Sequence, residues 1–298
     1  MKNKRRLMTK EARLGIFMIS PALIIIIGLM LYPLLYTVYL TLVDYNVFTG
    51  INKGFVGVQE YVEVFSDPKF WNAIKVTMYF VAGSLLLQTI AGFAVATFLN
   101  IPFRGQRILR AVMLAPWAVP TVVNAQLWNW ILNASYGALN KLLLGIGVIE
   151  DPIVWLGDPK LALNVIIVAD TWKMLPLFVV MLLAGMSSIP PSHYEAAKLE
   201  GASFWQSFCK ITFPLLKPML LVVLIMRTAQ AIRVFDIVYV LTQGGPSNST
   251  MTISYYTYYQ TFSALDFGYG STLAMVVTLI TLGIAIIYKK LLNADNIY

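Results

Sequence analysis

The chain has 298 residues, of which 58% are hydrophobic and only 12% charged, and its mean hydropathy is +0.72. Soluble domains carry about 25% charged residues, so this composition excludes a soluble globular protein and indicates an integral membrane protein. The formal net charge of +8 does not indicate nucleic-acid binding, because the basic residues are scattered around apolar segments and form no stripe interleaved with aromatic residues.

The N-terminal segment MKNKRRLMTKEAR is basic and leads directly into a long apolar run. That run is too long for the hydrophobic region of a signal peptide, and no Ala-x-Ala-like cleavage site closes it. We therefore predict a cytoplasmic tail over residues 1–13, followed by a first membrane span that is retained.

Six segments contain the roughly 20 predominantly apolar residues that a membrane-spanning helix requires. They are approximately 14–42, 73–99, 108–132, 161–186, 217–242 and 269–291. Several contain prolines, which membrane helices tolerate when neighbouring groups or a cavity satisfy the freed backbone. The sequence thus predicts an all-α integral membrane protein with one six-helix transmembrane domain over 14–291 and a short tail over 292–298.

The distribution of basic residues predicts the orientation of these spans. Fourteen lysines and arginines lie on one side and five on the other, and the richer side is expected to face the cytoplasm. This places both termini and the loop 187–216 in the cytoplasm. The richer side holds Lys2, Lys4, Arg5, Arg6, Lys10, Arg13, Arg104, Arg107, Arg110, Lys198, Lys210, Lys217, Lys289 and Lys290; the other holds Lys53, Lys69, Lys75, Lys141 and Lys160.

The loop 187–216 carries charges and prolines between two apolar spans. Pro190 and Pro191 end the fourth span, and Ser192 is expected to cap a short helix over about 193–200, with Glu195 in its first turn. Gly201 is expected to stop that helix, because glycine enters the left-handed conformation at little cost.

A second short helix is predicted over about 203–212, where Phe204, Phe208 and Ile211 recur at helical spacing. Pro214 and Pro218 are then expected to turn the chain into the fifth span. On physical grounds alone, two readings remain open: a pair of helices that docks another protein, or an amphipathic hairpin lying on the bilayer surface.

The motif Glu195-Ala196-Ala197, three residues, Gly201-Ala202, and then Ile211, Pro214 and Pro218, resembles the EAA loop of ATP-binding-cassette (ABC) importer permeases. The stretches "MLAPWAVP", "ADTWKMLP" and "VLTQGGPSNSTMTISYYTY" resemble sugar-type permeases of the maltose-transporter class. The resemblance covers nearly the whole chain and implies the type I ABC importer permease (MetI-like) architecture. It implies that the loop docks a cytoplasmic ATPase through Glu195, Ala196, Ala197, Gly201, Ala202 and Pro214.

The same resemblance implies a set of partners in the cytoplasmic membrane of a bacterium or archaeon. These are a second, non-identical permease forming a heterodimer, two ATP-binding subunits and an extracytoplasmic sugar-binding protein. The chain has no Gly-rich phosphate-binding motif, so ATP and Mg are expected on the partner ATPase and no cofactor on this chain. With one histidine (His193) and one cysteine (Cys209), no catalytic triad, zinc site or internal disulfide is expected, and the chain is not predicted to be an enzyme.

Away from the ends of the predicted spans lie five charged residues: Asp170 and Lys173 in the fourth, and Arg227, Arg233 and Asp236 in the fifth. Charges at mid-membrane cost about 2.5–3.5 kcal/mol on insertion scales and usually face a partner or a cavity. The pairs Asp170/Lys173 and Arg233/Asp236 are three residues apart, a spacing that shares a helix face. Each pair neutralises itself, bridges neighbouring helices, or lines a polar pocket. Arg227 lies nearer the cytoplasm and is expected to contact a partner subunit or a gate.

In the resembled family, substrate contacts come from the third, fourth and fifth spans. The resembled family has a polar residue at the position of Asp170 and an asparagine at the position of Arg233, whereas this chain has charged residues there. An oligosaccharide or an acidic sugar therefore remains open as the substrate. The alternative function is an ion-coupled secondary carrier that uses the charges as a relay, but such folds usually show internal repeats and more spans. The expected substrate-binding residues are Asn124, Trp128, Asn129, Asp170, Trp172, Lys173, Arg233 and Asp236, with Gln126 nearby.

Overall fold

The structure is a computed structural model that describes residues 10–48 and 50–294. Most of the predicted cytoplasmic tail 1–13 and the end of the predicted tail 292–298 lie outside the described residues. The described chain divides into two compact units, Met1–Val64 with Gln260–Met275, and Phe65–Tyr259 with Val276–Tyr298.

The described residues contain five helices that are long and apolar enough to cross a membrane, and a bent pair of helices that makes a sixth span if counted as one. The prediction of six spans is therefore confirmed on that count. The long helices are Leu14–Leu40, Pro68–Asn100, Ala162–Ser187, Phe204–Ile232 and Phe267–Tyr288, here called the first, second, fourth, fifth and sixth spans; the third span is the pair Gln106–Ala118 and Thr121–Ile131.

The third span, predicted over about 108–132, is present as two helices that bend by 95° relative to each other. Val119 is extended (φ −71°, ψ 130°) and precedes Pro120. The proline ring clashes with a helical conformation of the preceding residue, which explains why the helix stops here and restarts at Thr121.

The fifth span also differs from the prediction of 217–242. Its helix begins at Phe204, where Ser203 and Gln206 form a reciprocal capping box, and it runs through Pro214 and Pro218 to Ile232. The two prolines therefore do not turn the chain between separate helices. A π-helical segment, Phe208–Thr212, lies directly before the first of them.

Most of the remaining elements are short. In the first unit a two-stranded antiparallel sheet pairs β1 with β2, from Val43 opposite Phe55 to Asn46 opposite Ile51. Asn46 also donates from Nδ2 to Asp266 Oδ2 at 3.0 Å. The bounds are β1 Val43–Asn46, β2 Ile51–Phe55, helices Lys10–Ile26, Tyr32–Leu40, Gln59–Ser66, Ala138–Gly145, Pro191–Leu199, Asp236–Leu241, Ile253–Tyr258 and Phe267–Ala294, and π-helical segments Ile27–Leu31 and Tyr259–Ser263.

The core of the second unit lies where the second, fourth and fifth spans pack together. Two glycines permit this close packing. A Cβ added to Gly92 would come within 2.6 Å of the Phe178 ring, and one added to Gly185 within 2.7 Å of Leu216. The buried cluster comprises Phe93, Ala96, Leu99, Phe178, Val179, Leu182, Leu183, Met186, Ile189, Leu216, Leu220 and Val223.

Candidate functional site

A buried ion pair joins the fourth and fifth spans. Arg227 Nη2 lies 2.8 Å from Asp170 Oδ2, and the two side chains are 2% and 9% exposed. Because both charges are removed from solvent, each depends on the other for compensation. Of the possibilities that the sequence left open for Asp170, the structure shows a bridge to a neighbouring helix rather than an ion pair with Lys173 on its own helix. Arg227 was expected to contact a partner subunit or a gate, but its side chain is buried among residues of this chain.

Gln88 connects this ion pair to the second span. Arg227 Nε donates to Gln88 Oε1 at 2.8 Å, and Gln88 Nε2 donates to Asp170 Oδ2 at 3.3 Å. Gln88 is fully buried. Arg227 Nη1 also donates to Gln230 Oε1 at 2.9 Å. Asp170, Arg227 and Gln88, here called the buried network, thus cross-link three spans through hydrogen bonds among fully or nearly fully buried groups.

The second predicted pair, Arg233 and Asp236, does not share a helix face. The fifth span ends at Ile232, Arg233 is its C-cap, and Asp236 begins a separate short helix. Arg233 Nε donates to the carbonyl oxygen of Ala229 at 3.1 Å, and both side chains are exposed. Within the described residues, the buried Lys173 makes no salt bridge.

Asp170 and the break after the fifth span line one small cavity of about 130 Å³. Ligand pockets for small molecules usually measure roughly 300–1,000 Å³, so this cavity alone is too small for an oligosaccharide. Its polar lining nevertheless brings two predicted residues, Arg233 and Asp236, beside the buried network. The cavity is lined by Thr121, Asp170, Met174, Arg227, Gln230, Ala231, Arg233, Val234, Phe235, Asp236 and Ile237.

The predicted residues of the third span lie apart from that lining. Trp128 and Trp172 pack edge to face with ring centroids 6.2 Å apart, so these two rings contact each other. Asn129 is half-buried. Asn124 is completely buried, and neither of its amide atoms has a hydrogen-bond partner among the described residues.

The helix predicted in the loop between the fourth and fifth spans is present as Pro191–Leu199, here called the loop helix. Its N-cap is Pro190 and no side chain caps it, so the expected cap by Ser192 is wrong. Gly201 has φ +74°, as expected of a glycine stop, and Ala202 N donates to Ala197 O at 2.9 Å. Because a side chain is disfavoured at this φ, Gly201 fixes the end of the helix.

One face of the loop helix is anchored and the other is free. Ala197 is buried, and the Tyr194 hydroxyl lies 3.0 Å from that of Thr212 at the start of the fifth span. Glu195 and Ala196 are exposed, and Leu199 is 92% exposed. This exposed face leaves Glu195, Ala196 and Leu199 accessible to a partner protein. Ala202 is half-buried, and Pro214 is exposed at the start of the fifth span.

Three residues of these sites were missed from sequence. Gln88 and Gln230 were not predicted because they are uncharged, and the prediction for the second and fifth spans considered only ionisable residues. Leu199 reads as an ordinary apolar residue until its exposure is known. A glutamine inside an apolar span is a signal that could have identified Gln88, because a buried amide requires a partner.

Residues 88–292 match the family described as binding-protein-dependent transport system inner membrane component. This match includes the loop helix, the buried network and the residues around the small cavity. It covers more than half of the chain.

Two curated relatives resemble nearly the entire chain. The trehalose/maltose transport system permease protein of Thermococcus litoralis is 41% identical, covering 96% of this chain and 95% of the relative. The sulfoquinovosyl glycerol transport system permease protein of Agrobacterium fabrum is 35% identical, covering 95% of this chain and 91% of the relative.

A solved structure shares the fold. A chain of a bacterial ABC transporter involved in the import of the acidic polysaccharide alginate superposes with a TM-score of 0.84. The two chains are 22% identical, and the match covers 96% of this chain and 97% of the other. The predicted fold class, an ABC importer permease of the MetI-like type, is confirmed. The chain belongs to the family of binding-protein-dependent transport system inner membrane components.

Proposed function

We propose that this chain is the permease subunit of an ATP-driven sugar importer and forms half of its translocation pathway. Support comes from family membership and from the relative named for trehalose/maltose transport, which is 41% identical over almost the whole chain. The ion-coupled carrier is not favoured, because members of this family depend on a binding protein.

The observation that supports a role in coupling to an ATPase is the loop helix, which is anchored on one face and exposed on the other. Its Glu195 and Leu199 are exposed while Ala197 and Tyr194 hold it against the second unit's core. In this proposal Leu199 enters an apolar cleft of a cytoplasmic ATPase, and Glu195 makes a polar contact at its edge. Gly201 keeps the helix at a fixed angle, so closure of the ATPase moves the spans as rigid bodies.

The assembly we propose contains two permeases, two ATP-binding subunits and a sugar-binding protein outside the membrane. Both termini and the loop helix face the cytoplasm, as the basic residues favour. ATP and Mg are bound and consumed by the ATP-binding subunits, while this chain supplies the pathway and the docking helix.

The substrate pathway lies at the break after the fifth span. Gln230, Arg233 and Asp236 line the small cavity there, and they present donors and acceptors of both charges to a polar solute. Because about 130 Å³ is too small for an oligosaccharide, we propose that the second permease supplies the opposite wall. In this arrangement Asp170 supports the wall through Arg227, and Trp128 and Trp172 serve as packing residues.

The test is purification of the affinity-tagged chain from its own host in mild detergent, with the co-purifying proteins identified and ATP hydrolysis measured. Leu199→Ala and Glu195→Ala are compared with Leu142→Ala and Glu150→Ala, which remove exposed side chains of the same types elsewhere. We expect an ATPase to accompany the wild type and both controls, and its recovery or substrate-stimulated activity to fall in the two loop-helix variants.

Cross-linking adds a direct readout of contact. Cys209 is the only cysteine and is exposed, so Cys209→Ser gives a cysteine-free background into which Leu199→Cys can be placed. A cross-link from position 199 to the ATPase supports docking. An assembly that contains no ATPase, together with solute transport driven by an ion gradient in reconstituted vesicles, would replace this proposal with the carrier.

A further inference from the structure

A large apolar groove runs along the second span and the start of the fifth. It has a volume of about 630 Å³, and nearly all of its lining is apolar. Several of its aromatic side chains are well exposed, including Phe204 at 65% and Trp205 at 67%. The aromatic lining consists of Phe93, Phe98, Phe204, Trp205, Phe208 and Phe213.

A second, more polar cavity of about 290 Å³ adjoins this groove beneath the loop helix. The two share Thr97, Ile101, Phe204 and Phe208, so they form one continuous surface. Most of this cavity's lining is apolar, but it includes the Tyr194 hydroxyl, the Asn100 amide and Lys198, its one charged lining residue; it is here called the polar cavity.

The groove and the adjoining cavity together have the length of one bilayer leaflet. On the second span their combined lining runs from Thr89 to Asn100, and a helical rise of 1.5 Å per residue separates these two residues by about 16 Å. Half of the roughly 30 Å hydrocarbon core is about 15 Å. The apolar part therefore matches an acyl chain, and the polar part lies where a headgroup would be.

Charge around the polar end favours an anionic headgroup. Lys198 lines the cavity, and no carboxylate does. The basic residues around the spans indicate that this end of them lies at the cytoplasmic leaflet. The anionic lipids of that leaflet attract basic side chains. A helix from another permease could cover the apolar groove, but it would leave the adjoining lysine-lined cavity unused.

We propose that the groove and the polar cavity together form a binding site for one anionic phospholipid, with an acyl chain along the second span and its phosphate at Lys198. This site goes beyond the transport function. Lys198 belongs to the loop helix, so the bound lipid braces that helix against the second span. An effect of the lipid on ATP hydrolysis would rest on the proposed function, whereas lipid binding itself does not.

The test is native mass spectrometry of the full-length chain, in whatever complex it purifies, with dioleoyl phosphatidylglycerol or dioleoyl phosphatidylcholine added. Lys198→Gln removes the positive charge that would contact the headgroup phosphate, and Ala94→Trp places a large side chain in the groove. Lys210→Gln and Ala82→Trp are the matched controls, because both residues are exposed and line neither cavity.

We expect one phosphatidylglycerol to be retained by the wild type and both controls, and phosphatidylcholine to be retained several-fold less. Lys198→Gln should weaken phosphatidylglycerol retention about fivefold, as removal of one basic residue near an anionic surface implies. Ala94→Trp should abolish retention. Equal retention of the two lipids, or retention that neither variant changes, would overturn the site. Loss of a co-purifying permease in Ala94→Trp, with lipid retention unchanged, would assign the groove to that permease.

Discussion

The buried network makes a sharp prediction about stability. Arg227 and Asp170 are each other's charge partner at 2.8 Å, and neither reaches solvent to any useful extent. Removal of one partner of a buried ion pair costs about 3–5 kcal/mol, because the remaining charge is left uncompensated. At about 2–4 °C per kcal/mol, this corresponds to a fall in Tm of roughly 6–20 °C.

The two single variants should not be equal. Arg227→Met leaves a carboxyl group that can take up a proton and become neutral, with Gln88 still beside it. Asp170→Leu leaves a guanidinium that cannot lose its charge in a protein. We therefore expect Asp170→Leu to be the more destabilising of the two.

The double variant Asp170→Leu/Arg227→Met removes both charges together. What remains is the buried amide of Gln88 without its partners, which costs about 1–3 kcal/mol. The double variant should therefore be more stable than Asp170→Leu alone. This non-additivity is the signature of a direct interaction between two side chains.

The assay is thermal unfolding of the purified protein in detergent. Samples are heated to a series of temperatures, and the folded fraction that remains is measured by size-exclusion chromatography. The double variant Asp236→Leu/Arg233→Met is the matched control, because it removes the same residue types from exposed positions. It should change stability by no more than about 0.5 kcal/mol. Additive losses from Asp170→Leu and Arg227→Met, or single losses no larger than the control's, would refute the reasoning.

Three further predictions follow from individual contacts. Gly92→Ala places a Cβ within 2.6 Å of the Phe178 ring and should cost roughly 1–3 kcal/mol in thermal unfolding, whereas Gly28→Ala, with nothing within 4 Å, should cost little. Gly201→Ala forces a side chain into φ +74° at a cost of about 1–2 kcal/mol, and we expect lower substrate-stimulated ATPase activity in the assembled complex with normal membrane insertion. Asp236→Asn removes a charge from the cavity lining and should raise the KM for uptake of a radiolabelled sugar without changing Tm; an unchanged KM would remove Asp236 from the substrate wall.

The spans were largely predictable because hydropathy is a local property. A run of apolar residues is expensive to expose to water wherever it lies in the chain, so composition alone identifies it. The end at Gly201 was predictable for the same reason, since the φ that glycine permits does not depend on distant contacts. The start of the fifth span was not predicted, although Ser203 and Gln206 have the spacing of a capping box and could have indicated it.

The pairing of the intramembrane charges was not predictable in this way. Asp170 and Lys173 satisfy the spacing rule for a shared helix face, but Arg227, 57 positions away, is the partner of Asp170. Which distant side chain reaches a buried carboxylate depends on how helices pack, and sequence spacing carries no such information. The early end of the fifth span likewise places Arg233 and Asp236 on separate elements.

The buried network also bears on where substrate specificity resides. Asp170 is occupied by Arg227 and Gln88, so its charge is not free to discriminate between solutes. The groups that remain available at the cavity are Gln230, Arg233 and Asp236, and the space they enclose holds less than an oligosaccharide. In the importer that we propose, the second permease therefore supplies part of the selectivity. Replacing that partner with a related one should therefore change which sugar is transported, even with this chain unaltered.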